Sequence, residues 1–122
     1  MRTLNLNLEL IPNGFTPVIY VSQADHYGTL LNCYLYFNGS TYPFDRNNTA
    51  FKLRGTRPDG QKFESVMNKI RDEYVYCNLT DNMTAVAGDV YCNIEMIENE
   101  VDRTGSQAFI MRVQPEARGE IE

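Results

Sequence analysis

Apolar side chains recur along this chain at every second position in short bursts, and Gly, Pro or Asn closes each burst. In the first, Leu4, Leu6, Leu8 and Leu10 share one side while Asn5, Asn7 and Glu9 take the other, which is the period of a half-buried strand. Pro12-Asn13-Gly14 breaks it. Pro17 then opens a short run over 18–21 suited to a sheet edge, since proline has no amide to give to a ladder. From 29 to 37 the alternation returns, with Leu31, Cys33, Leu35 and Phe37 on one face and Leu30, Asn32, Tyr34 and Tyr36 on the other, ended by Asn38-Gly39. Further strands are expected over 51–56, 61–66, 74–79, 89–98 and 107–113, the first two joined by a Pro58-Asp59-Gly60 turn. Val66, Met67 and Ile70 have the spacing of one helical turn within 67–73, and 99–105 reads as a polar connection. About eight or nine short strands with no long helical period predict an all-β, immunoglobulin-like antiparallel β-sandwich. It is expected to occupy residues 1–114, with 115–122 as a polar tail or linker.

Composition narrows the function classes. A chain of 122 residues, 43% of them hydrophobic, is long enough for one domain with one core. No apolar run approaches the roughly 18 residues that cross a bilayer, so no membrane insertion is expected. Eleven basic residues against sixteen acidic ones leave a formal charge of −5. That balance argues against nucleic acid, whose phosphates must be neutralised by Lys and Arg. The amino terminus alternates instead of forming the continuous apolar stretch of a secretory signal, so synthesis in a reducing cytoplasm is expected.

The inventory for catalysis is thin. His26 is the only histidine and stands between Asp25 and Tyr27 in an expected loop. The carboxylates Asp25, Asp81, Asp89 and Asp102 show no regular calcium-ligand spacing. No catalytic residue, metal ligand or cofactor site is therefore assigned, and the chain is read as a non-enzyme. Cys33, Cys77 and Cys92 all fall on expected inward faces, where thiols behave as small apolar groups. Cys33 and Cys92 lie on the second and second-last long strands, a separation resembling the inter-sheet bridge of immunoglobulin domains. Against a bond stand the absence of Trp and the position of Tyr91, one residue before Cys92 where a tyrosine corner needs two. The two are read as core neighbours, bonded or not. If the cysteines face inward, Tyr34, Tyr36, Tyr74 and Tyr76 face outward. In an immunoglobulin-like sandwich their strands pair, so the four would form one patch fit for a protein interface or for sugar stacking. A slip of one residue would turn the same set into the core.

At Lys52-Leu53-Arg54-Gly55-Thr56-Arg57-Pro58-Asp59-Gly60 the chain resembles the amino-terminal domain of phage baseplate upper proteins from phages and prophages of Gram-positive bacteria. Three further pieces fit in order: Val21-Ser22-Gln23-Ala24-Asp25, Thr84-Ala85-Val86-Ala87-Gly88 and Arg103-Thr104-Gly105-Ser106-Gln107-Ala108-Phe109. The resemblance spans residues 21–113 and implies a non-enzymatic sandwich domain of the virion tail, docking a receptor-binding or fibre module onto the baseplate. Its implied partners are the baseplate hub or neighbouring tail proteins, and a receptor-binding protein held through a carboxy-terminal region beyond Glu122. Baseplate parts form symmetric oligomers, so a homo-oligomer is also expected. A carbohydrate-binding module using the same tyrosines is the alternative.

Overall fold

The computed structural model describes residues 2–10, 15–23, 28–37, 39–41, 44, 47–70 and 74–115. In chain order the elements are β1 (Arg2–Glu9), β2 (Val18–Ser22), β3 (Thr29–Phe37), β4 (Ser40–Thr41), β5 (Thr49–Thr56) and β6 (Lys62–Val66). There follow β7 (Asn68–Ile70), β8 (Tyr74–Asn78), a single helical turn α1 (Asp81–Thr84), β9 (Gly88–Glu98), β10 (Asp102–Gly105) and β11 (Phe109–Gln114). The strands form two sheets. The first runs β1-β3-β8-β7 with β4 beside β3, and the second runs β2-β11-β9-β5-β6 with β10 beside β9.

The expected all-β sandwich is therefore present, and alternation explains how it closes. Leu6, Leu8, Leu31, Leu35 and Val75 project from the first sheet onto Phe51, Leu53, Ile94, Phe109 and Met111 of the second, all buried. Each such side chain contributes about 1.5–3 kcal/mol by leaving water. Phe44 packs edge-on against Phe51 with centroids 4.7 Å apart. Gly55 stands where a side chain would not fit: an added Cβ would lie 2.3 Å from Cζ of Phe63, its cross-strand partner. The glycine thus seats an aromatic ring on the inner face.

Four details depart from the sequence expectation. The sheets are mixed, because β1 runs parallel to β3 and β2 parallel to β11 while the other pairs are antiparallel. Alternation shows which face a residue takes but not which strand lies next to it. The helical turn expected within 67–73 is not formed over its described part, where Asn68–Ile70 is a strand of the first sheet. Here the chain passes from one sheet to the other: buried Met67 donates its amide to Phe51 O at 2.9 Å, while Val66 is 72% exposed, so the two share no helical face. The helix lies instead at Asp81–Thr84. Finally, the connection expected over 99–105 contains β10, turned back onto β9 through Asn99 and Glu100 at φ 51° and 64°. Strand β11 ends at Gln114, and the expected tail lies, apart from Pro115, outside the described residues.

Candidate interaction surface

On the outer face of the first sheet, register sets the tyrosines in rows. Tyr34 lies opposite Tyr74, and Tyr76 opposite Asn32. Tyr36 lies between Glu9 of β1 and Thr41 of β4. All four tyrosines are half-buried, and the Tyr34 and Tyr74 rings stack tilted at 33° with centroids 4.8 Å apart. Asparagines fill the positions between them. Asn5 and Asn7 flank Asn32 and Tyr34 from β1, and Asn68 flanks Tyr76 from β7. Asn32 Nδ2 donates to Asn5 Oδ1 at 3.2 Å, while its own Oδ1 is out of contact with solvent and has no donor among the described residues. An unpaired buried acceptor costs about 1–3 kcal/mol. This surface is aromatic and amide in character, and among the described residues the only acidic or basic side chain that register sets on it is Glu9, whose carboxylate accepts from the Gly39 amide at 3.1 Å.

The parity argument alone points to the four tyrosines. It could also have found Asn5, Asn7 and Asn32, which follow the same alternation, but a single Asn in a strand carries little signal until its neighbours are known; Asn68 falls in the stretch whose spacing imitates a helical turn.

The outer face of the second sheet has the opposite chemistry. Lys52 and Arg54 bracket Glu64 at 3.8 and 3.4 Å. Arg54 and Arg103 bracket Glu95 at 3.3 and 3.1 Å, so an ion-pair chain crosses β6, β5, β9 and β10. Further along, Arg112 holds Asp89 with two hydrogen bonds of 2.7 and 3.1 Å and lies 5.8 Å from the centre of the Tyr20 ring. Those bonds hold the Asp89 carboxyl below its usual range. A shallow concavity of about 640 Å³ sits on this face over Gly55 and Phe63, but its carboxylate, Glu64, is already engaged by Lys52 and Arg54. Lys62 and Arg54 line it as well.

Three of the quoted sequence pieces meet at one end of the second sheet. Arg57 pairs with Asp59 in the turn and donates to Asn82 Oδ1 of α1 at 2.7 Å. Gly88, at φ 126°, passes so close to Pro58 that a Cβ there would lie 2.9 Å from its Cγ. Gln23 Nε2 donates to Ala85 O at 3.0 Å, and the Gln23 amide donates to Gln114 O at 3.0 Å. The fourth piece works on the other side of the sandwich, where the Gln107 amide donates to Glu9 O and Gln107 Oε1 accepts from the Glu9 amide, both at 2.8 Å. These residues hold loops to sheets.

Cys33 and Cys77 on the first sheet and Cys92 on the second are buried free thiols. Burial pushes Cys77 and Cys92 up to about 12 and Cys33 well up, the last reinforced by the proximity of the other two. Such thiols stay protonated and unreactive at neutral pH. His26 and Asp25 lie outside the described residues. Asp81 and Asp102 are exposed, and no group of His, Cys, Asp or Glu that could hold a metal occurs among the described residues. No helix among them is long and apolar enough to cross a membrane.

No family model matches the chain, and no curated protein is similar to it. Ten chains of solved structures match it in fold. The N-terminal domain of phage TP901-1 ORF48 matches with a TM-score of 0.75 over 93% of this chain and 99% of that chain, at 10% sequence identity. At that identity the likeness is one of architecture, and its near-complete coverage of both chains means that the whole sandwich is shared.

Proposed function

We propose that this chain is a non-enzymatic structural domain of a phage or prophage baseplate, docking a receptor-binding or fibre module onto neighbouring tail proteins. The observation that carries the reading is the match in fold, over nearly the whole of both chains, to the N-terminal domain of phage TP901-1 ORF48. The four ordered sequence pieces support it independently of the fold. Docking uses the Tyr34, Tyr36, Tyr74 and Tyr76 face. Half-buried rings lose little conformational freedom on contact, and a partner donor reaching Asn32 Oδ1 recovers the cost of the unpaired acceptor. The test is assembly of the full chain with the tail proteins encoded beside it, followed by size-exclusion chromatography and electron microscopy. Complexes should form, and the double variant Tyr36→Ser, Tyr76→Ser should lose them while keeping its thermal transition. Unchanged assembly with intact folding removes this face from the docking role.

A second reading, a saccharide-binding module on the same face, has the Asn32 acceptor in its favour, since a sugar hydroxyl beside stacked tyrosines would satisfy it. Saturable binding to cell-wall glycans that disappears with the same tyrosine replacements supports that reading; silence across a broad glycan array removes it.

A further inference from the structure

We propose that strand β1 pairs, edge to edge and antiparallel, with β1 of a second copy of this chain, centred on Asn5. The inference rests on backbone geometry and holds whether or not the baseplate reading does.

In a parallel ladder the amides and carbonyls of successive residues point alternately to the two sides of the strand. The Leu10 amide donates to Tyr36 O of β3 at 2.8 Å, so the even-numbered residues of β1 face β3 and Thr3, Asn5, Asn7 and Glu9 face away from it. At Glu9 the fold supplies partners for both groups from Gln107. At Thr3, Asn5 and Asn7 the backbone groups have no partner among the described residues, because β1 pairs with β3 alone. A row of unpaired amides and carbonyls is a template for another strand.

The other sheet edges are guarded by features that discourage such pairing. Strand β2 is entered through Pro17, β6 displays Lys62 and Glu64, β10 displays Asp102 and Arg103, and β7 has only three residues. Between Thr3 and Asn7, β1 has neither charge nor proline nor bulge, and its register with β3 is unbroken over eight residues.

The geometry selects a second copy as the occupant. With Asn5 opposite Asn5, Thr3 falls opposite Asn7, so the residues whose backbones point outward meet each other and exchange both bonds of each pair. Leu4, left half-buried at this edge, falls opposite Leu6 of the second copy, which completes its cover on the inner face. Pairing joins the two outer faces into one continuous tyrosine and asparagine surface. A single strand edge buries less than the roughly 1,200 Å² of stable interfaces, so the dimer is weak and concentration-dependent.

Sedimentation velocity on the full chain, from about 10 µM to about 1 mM, reads the equilibrium directly. The mass should rise from the 14.0 kDa monomer towards twice that value. Asn5→Pro removes the central donor on the side facing away from β3, where an edge strand tolerates proline, and should weaken the dimer at least tenfold with near-ultraviolet circular dichroism unchanged. Should that variant misfold, a charge pair tests the register instead. Thr3→Lys with Asn7→Glu should tighten the dimer, because each lysine meets the second copy's glutamate, and Thr3→Lys with Asn7→Lys should dissolve it. A chain that stays monomeric throughout the range overturns the proposal, as does a dimer that responds to none of these changes.

Discussion

The two outer faces of this sandwich are built from the same backbone and opposite chemistry. Across the second sheet, Lys52, Glu64, Arg54, Glu95 and Arg103 neutralise one another in a chain, and Arg112 with Asp89 closes a separate pair. Such a face keeps its charges in water and has its polar groups matched among themselves. Across the first sheet, tyrosines and asparagines carry almost no charge, the rings are half-buried, and one acceptor waits for a donor. Exposed ion pairs are cheap to leave in water and costly to cover, whereas tyrosine and asparagine lose little on being covered. The contrast separates an ion-paired face from the aromatic and amide face that we propose as the contact face.

The sharpest way to break that contrast is to exchange chemistry on the contact face. Tyr36→Ser with Tyr76→Ser should reduce affinity for a tail partner at least a hundredfold, about 3 kcal/mol or more for two central aromatic anchors, measured by titration calorimetry. Glu95→Gln with Arg112→Gln on the solvent face should leave the same affinity within a factor of three.

Stability separates the regions next. Gly88→Ala should lower the unfolding free energy by about 1–3 kcal/mol in urea titration, because it combines a positive φ with a clash against Pro58. It acts at the sheet end where the motif residues meet and should not alter docking of a folded chain. Asn32→Val should go the other way and stabilise the isolated domain by roughly 1 kcal/mol: the unpaired acceptor disappears at the expense of one weak bond to Asn5. The same change should weaken partner binding, a trade of stability for contact that no residue of the ion-pair face should show.

Acid gives the smallest effect. The Asp89 carboxyl is held below its unfolded value of 3.8 by Arg112, so its contribution is present above that value and is lost as pH falls through the lower, folded one. Asp89→Asn should therefore flatten the pH dependence of stability in the acid range. Replacing Tyr34 by Phe on the other face should leave that slope unchanged.

Much of this was legible in the alternation. The face taken by Tyr34, Tyr36, Tyr74 and Tyr76 follows from the parity of buried Cys33 and Cys77, because period two admits only two choices. What parity cannot reveal is neighbourhood. The parallel partners of β1 and β2 depend on tertiary packing, and so does the passage between sheets at Met67, where spacing imitates a helical turn. Strand β10 is polar throughout and is a strand only because it lies along β9. The role of Arg57 illustrates the same limit: its ties to Asp59 and Asn82 make the Pro58-Asp59-Gly60 turn a device for fastening α1.

Tyrosine itself supplies the most direct measurement. Tyr20 and Tyr91, on the solvent face, are 58% and 60% exposed and serve as internal references for the four on the contact face. Hydroxyl-radical footprinting with mass spectrometry should be run on the free chain and on the chain assembled with its tail partners. Oxidation of Tyr34, Tyr36, Tyr74 and Tyr76 should fall several-fold on assembly while Tyr20 and Tyr91 stay as reactive as before. Protection of Tyr20 and Tyr91 with the other four unchanged would contradict the proposed contact face.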